Sequence, residues 1–131
     1  MNVGFELQKA IYQALDGNVT VGGNAVPVYN PPPTDAPYPY IDIGDENSAD
    51  FSTHTEAARE RFVTLSVWSD QPGKSEVYSV LSQMETLLDR AKLTLGTGRA
   101  WDVQATSTQI TRDLDGRTFT GTMTVRARTQ Q

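Results

Sequence analysis

Apolar residues recur along the chain in two rhythms. Between residues 3 and 15, Val3, Leu7, Ala10, Ile11, Ala14 and Leu15 fall at intervals of three and four, with Glu6, Gln8, Lys9 and Gln13 between them. That spacing puts the apolar set on one side of a helix. Asp16-Gly17-Asn18 follows, and Gly or Asn takes the left-handed conformation that closes a helix. A second helix is predicted over residues 74–91, where Val77, Val80, Leu81, Met84, Leu87, Leu88 and Ala91 form an unbroken stripe. Glu76 near its start and Arg90 and Lys92 near its end suit the helix dipole. Met84 lies within the stripe and reads as core filler, not as a cofactor ligand.

Elsewhere the rhythm is alternation, the signature of strands. Tyr38 to Gly44 reads as a short strand, with Ile41 and Ile43 on one face and Tyr40 and Asp42 on the other. Arg59 to Ser69 is the strongest strand. Val63, Leu65 and Val67 share one face, and Phe62, Thr64, Ser66 and Trp68 the other. Bulk on both faces predicts a central position. Residues 101–113 and 117–129 form a long hairpin around Asp115-Gly116, a type I′ turn signal. In its second arm Phe119, Gly121, Met123, Val125 and Ala127 alternate with Thr118, Thr120, Thr122, Thr124, Arg126 and Arg128. Such an arm extends about 40 Å at ~3.3 Å per residue, so its end frays or the hairpin projects toward something.

The segments between are polar or rich in Gly and Pro. Residues 17–39 hold Gly17, Gly22, Gly23, Pro27, Pro31, Pro32, Pro33, Pro37 and Pro39. Val26 to Tyr29 fits a short strand that Pro27 confines to an edge. Pro31 to Pro33 reads as a stiff connector rather than a peptide ligand. Asp45 to Ala58 is expected to be a long polar loop, and loops of that length are usually functional or mobile. Asp70-Gln71-Pro72-Gly73 reads as a turn, and Leu93 to Ala100 as a connector. Gly96-Thr97-Gly98 lacks the Lys and the spacing of a phosphate-binding loop. The expected fold is α+β. A largely antiparallel sheet of about four to five strands carries two helices packed on one face and ends in the long C-terminal hairpin. With 131 residues, the chain is expected to form one domain, residues 1–131, around one core.

Composition narrows the function further. The absence of Cys excludes a disulfide scaffold, a thiolate zinc site, an iron–sulfur cluster and a cysteine nucleophile. His54 is the one histidine, so a multi-His metal site is impossible and a Ser-His-Asp triad depends on it alone. Asp42, Asp45, Glu46 and Asp50 do not follow the spacing of a calcium loop and read as a solvated acidic segment. Neither a G-x-S-x-G elbow nor an S-x-x-K motif is present. The expectation is therefore no enzyme, no metal and no cofactor. A net charge of -5 argues against a protein that grips phosphate backbone over a broad face. Arg99, Arg112, Arg117, Arg126 and Arg128 make the last third basic, but no recognition helix or stacking motif accompanies them.

No apolar run reaches the ~20 residues that cross a bilayer. Met1 to Glu6 has no basic segment leading into an apolar run, so synthesis and first folding in the cytoplasm are expected. What remains is assembly. Sheet edges must be covered, and a ring of identical subunits covers them head to tail.

Several stretches carry a resemblance. They are the opening helix Leu7 to Leu15; Val26-Pro27-Val28-Tyr29 followed by Ala36 to Gly44; Val63-Thr64-Leu65-Ser66-Val67-Trp68-Ser69; the helix with Val77, Val80, Leu81, Met84, Leu87 and Leu88; and Arg112 to Phe119 leading into Val125-Arg126-Ala127. In this order the chain resembles, over nearly its whole length, the tail-completion or tail-terminator proteins of long-tailed, siphovirus-like bacteriophages and phage-derived gene transfer agents. The resemblance implies a virion structural protein in the head-proximal end of the tail, made in a bacterial host. It implies a homo-oligomeric ring, typically a hexamer, that stops polymerisation of the major tail tube protein. That ring joins the tail to head-completion, stopper or connector proteins, and DNA passes through its lumen without specific binding. No membrane and no catalytic residue is implied. Contacts between subunits or rings are expected from Asp45, Glu46, Asp50, Phe51, His54 and Arg59, from Arg112, Asp115 and Arg117 at the hairpin tip, and from Arg126 and Arg128. Deleting residues 46–56 is expected to leave a folded monomer that does not assemble. Another neck or tube component, or a small cytoplasmic binding module with a ligand under the Pro-rich segment, is the alternative.

Overall fold

The helical rhythm at the start becomes α1, Val3–Leu15. Leu7, Ala10, Ile11 and Leu15 are buried, as their spacing requires. Gly17, at φ +76°, turns the chain out of the helix, and the Asn18 side chain donates to the Ala14 carbonyl at 3.0 Å. These observations come from a computed structural model that describes residues 3–30, 32–50, 58–71, 74–90, 93–95, 99–112 and 118–130.

A small hairpin follows, β1 (Thr20–Val21) and β2 (Asn24–Ala25). Gly22 and Gly23 supply the two positive φ angles, +59° and +83°, that a tight two-residue turn of this hand needs. The main sheet has six strands in the order β3-β4-β5-β8-β7-β6. Four are long: β4 (Tyr40–Asp50), β5 (Ala58–Ser69), β7 (Arg99–Arg112) and β8 (Phe119–Gln130). These four pair antiparallel with one another, with β5 and β8 central. Short strands finish the two edges. β3 (Val28–Tyr29) lies parallel to β4, and β6 (Leu93–Thr94) antiparallel to β7. The α+β class, the antiparallel core of the sheet and the C-terminal hairpin are as the sequence predicts. The two short edge strands raise the strand count to six.

The second helix, α2, is Ser75–Leu88 and buries Val77, Val80, Leu81, Met84 and Leu88. It lies across β5, β8 and β7, while α1 packs on α2 and reaches β4 and β6. Gly121 lets α2 approach β8 closely. A Cβ there would stand 2.5 Å from Val77 Cγ1 and 2.9 Å from Leu81 Cδ1. The helices, with Val63, Leu65 and Val67 of β5 and Met123, Val125 and Ala127 of β8, form one continuous core cluster.

Three expectations need correction. The polar stretch after Gly44 is not loop throughout: β4 bulges between Ile43 and Glu46 and then runs on to Asp50, paired with Arg59 to Val63. Apolar alternation stops there because Glu46, opposite the buried Val63, meets the part-buried Arg61 at 3.1 Å, so an ion pair takes the place of an apolar contact. Residues 51–57 lie outside the described residues. The segment 93–100 is not only a connector, since Leu93 and Thr94 pair with Ala100 and Arg99. Finally, α2 ends at Leu88, before Arg90, so its last turn carries no basic residue. Arg90, at φ +60°, turns away and donates its backbone N–H to the Val103 carbonyl. Lys92 and the Asp115-Gly116 turn lie outside the described residues.

Candidate assembly surfaces

With both helices on one face, the other face of the sheet is half-buried and carries no element among the described residues. Register places Thr64 opposite Thr124, Ser66 opposite Thr122, and Trp68 opposite Thr120, which in turn pairs with Thr111. β-Branched polar residues suit a pleated surface that is neither dry nor fully wet.

An aromatic group closes one end of this face. The rings of Tyr40 and Trp68 stack at 6.3 Å, Tyr38 stacks on Tyr40 at 5.6 Å, and Tyr29 meets Tyr40 edge-on at 5.8 Å. Those separations fall in the range where aromatic pairs attract beyond simple burial. The strand register builds the group: Tyr40 faces Trp68, and Tyr29 lies beside Asp42 on β3. The Asp42 carboxyl is pushed above its ordinary range by burial and then by the neighbouring charge of Asp45. The Tyr40 phenol is likewise pushed up by burial, then by Tyr38 and Asp42. Tyr38 also borders a groove of about 270 Å³ with Pro37, Pro39, Pro27 and the β1–β2 hairpin. The groove lies beside the Pro-rich segment and is lined mainly by apolar carbon.

Charge gathers at the opposite end of the sheet. Arg61 donates to Glu46 Oε1 at 3.1 Å and to Thr129 Oγ1 at 3.0 Å, and Thr129 donates on to the Arg59 carbonyl at 3.3 Å. On the helix-free face Arg128 and Glu60 stand 3.5 Å apart. Arg128 lies nine positions along β8 from Phe119, about 30 Å at ~3.3 Å per residue.

The expected contact residues therefore do not form one site. Glu46, Arg59, Arg126 and Arg128 belong to the charged half, where Asp50 ends β4. Asp45 is exposed at the β4 bulge. Arg112 is exposed at the far end, its guanidinium 5.4 Å from the Phe119 ring centre. Phe51, His54, Asp115 and Arg117 lie outside the described residues. Sequence reasoning missed Arg61 and Glu60 as partners, although the alternating signs of Arg59-Glu60-Arg61 announced them. It noted Tyr40, Trp68 and the Pro-Tyr strand, but not that register joins them into one aromatic cluster.

Among the described residues, no group of three or more His, Asp or Glu stands close enough to hold a metal ion. No helix among them is long and apolar enough to cross a membrane.

The family model described as Tail completion protein gp17 matches residues 9–130. No curated protein matches the chain by sequence. Among solved structures, the chain is similar to one in a structure described as "Virion of native gene transfer agent (GTA) particle". The two share 26% sequence identity and superpose with a TM-score of 0.85 over 98% of each chain.

Proposed function

The chain belongs to the tail completion protein gp17 family, and proceeding from that membership we propose that it is the terminator of a phage or gene transfer agent tail. In this reading copies form a closed ring, typically of six, on the head-proximal end of the tail tube. The ring stops addition of tube subunits and offers head-completion proteins a surface unlike the one it covered. A terminator works only if it presents no second copy of the surface it binds. DNA crosses the lumen without being held.

The observation that carries the reading is the family match, joined to the likeness over 98% of both chains to a protein of a gene transfer agent virion. The fold supports it: among the described residues, long stretches of both sheet edges and one sheet face carry no covering element. Charge supports it too. On the helix-free face, register sets Glu60 against Arg128, and Asp42, opposite Ser66 on the same face, adds a second acid to offset Arg126, so the face offers phosphates little net attraction.

Native mass spectrometry with negative-stain imaging tests the proposal. Closed rings of defined mass are expected. Long polymers of the chain alone would make it a tube subunit, and persistent monomers that ignore tube ends would remove the assembly role. Residues 51–57 and the 113–117 connection, with Arg112, are proposed as contacts between subunits or rings. Their test is replacement of 51–57 by a short linker, which should leave a folded monomer without rings. The cut must spare residues 46–50, because they belong to the β4 ladder and include the Glu46 partner of Arg61. Rings surviving the replacement would exclude the contact role of Phe51 and His54.

A further inference from the structure

The sheet has two long edges that its own short strands leave mostly open. On β4, β3 pairs only with Ile41 and Asp42, so among the described residues nothing pairs with its outer edge from Ile43 to Asp50. On β7 the cover is different but also partial. β6 pairs with Arg99 and Ala100, the Arg90 N–H reaches the Val103 carbonyl, and Asp89 Oδ1 accepts the Ala105 N–H at 3.2 Å. From Thr106 to Arg112 no described residue covers the edge, and all but the half-buried Ile110 are exposed. Unpaired edges of this length are templates for another strand.

We propose that the two edges pair with each other between copies, β7 residues 106–112 of one copy against β4 residues 43–50 of the next. The proposal rests on the ring reading and specifies its bond. Three observations choose a second copy as the occupant. First, direction: β4 and β7 run oppositely within one sheet. Copies related by an axis along the strands therefore meet antiparallel at this seam, and the same contact repeats head to tail until it closes. Second, position: both open parts lie in the C-terminal parts of their strands, and because β4 and β7 run oppositely these sit toward opposite ends of the sheet, so pairing them staggers neighbouring copies. A sheet closed into a barrel of tilted strands requires such a stagger. Third, side chains. Thr108 opposite Ser48 and Ile110 opposite Glu46 keep the helix-covered face continuous across the seam, because Glu46 and Ser48 pair with Val63 and Arg61 on that face. The same register sets Arg112 level with Gly44, beside Asp45, a basic end against an acidic bulge.

The chain has no Cys, so engineered thiols report without background. Ser48→Cys and Thr108→Cys are made singly and together, with Asn47→Cys plus Gln109→Cys as a pair for the other face. All four positions are exposed, and unchanged thermal melting checks the fold. The variants are treated with a bis-maleimide spanning about 8 Å, which tolerates a two-residue slip of register. On a denaturing gel the double variants should give a ladder beyond the dimer, its top rung matching the ring mass from native mass spectrometry. Each single variant should stop at the dimer or earlier. Intact rings with no ladder would overturn the edge pairing and leave the ring reading standing. Monomers at every concentration would overturn both.

Discussion

Along β8, Gly121, Met123, Val125 and Ala127 are buried beneath the helices, while Thr120, Thr122 and Thr124, one residue away, stay half-covered on the opposite face. The same strand thus serves two environments, and the two are held differently. The helix face is fixed by volume: α2 lies so close that only a hydrogen fits at Gly121. The open face is fixed by lateral neighbours: a Thr row, an aromatic group and the Glu60–Arg128 ion pair. The lesson is that the two sides of one sheet are held by different physics, dense packing on one and lateral contacts on the other. Changes on the first should cost stability heavily, and changes on the second should cost little.

Gly121→Val should break the comparison most strongly. Its side chain would overlap Val77 and Leu81 in a packed layer, and overpacking of this kind costs about 3 kcal/mol. Thr122→Val, its neighbour on the open face, should stay within about 0.5 kcal/mol. Urea unfolding of the two variants measures the difference. Equal losses would mean that the faces do not divide the work as argued.

Glu46→Gln comes next. It leaves Arg61 with Thr129 but removes its charged partner, and a hydrogen bond to a charged group contributes about 1.5–3 kcal/mol when little exposed. About 1 kcal/mol is the expected loss here, since both side chains keep some access to water. The loss should shrink when wild type and variant are compared in molar salt.

How much of this was legible follows from where each element gets its stability. The two helices and β5 could be read from spacing because each has an apolar face set by its own residues. The second half of β4 could not: Glu46 to Asp50 form a strand only because β5 lies beside them, and no alternation of their own marks it. β6 is two residues long and exists by pairing with β7. The β1–β2 hairpin was readable from Gly22-Gly23 but lay inside a segment judged by its prolines. The candidate surfaces were least legible, since the 30 Å between Arg112 and Arg128 becomes visible only when β7 and β8 are laid side by side.

The aromatic group offers a smaller effect. In a double-mutant cycle of Tyr40→Leu and Trp68→Leu, the stacked pair should show a coupling of about 1 kcal/mol. A coupling near zero would mean that register alone holds the two rings together and that the end of the sheet is left free for a partner.

Asp42 should give the smallest change and the clearest sign. Its carboxyl titrates above the ordinary range, chiefly through burial and further through Asp45, so the folded chain holds this proton more tightly than the unfolded chain. Between the unfolded and the folded pKa, stability therefore falls as pH rises, and above the folded pKa the deficit is constant. Asp42→Asn removes the ionisation. The variant should melt slightly higher than wild type at pH 7, and the gap should close as pH is lowered through the carboxylate range toward 4. Because the side chain is partly solvated, the gap is expected to be small, but its pH dependence separates a charge effect from a packing effect. A gap that persists unchanged at pH 4 would show that the amide stabilises the open face by contact, and that the charge of Asp42 beside Tyr40 and Asp45 costs the fold nothing.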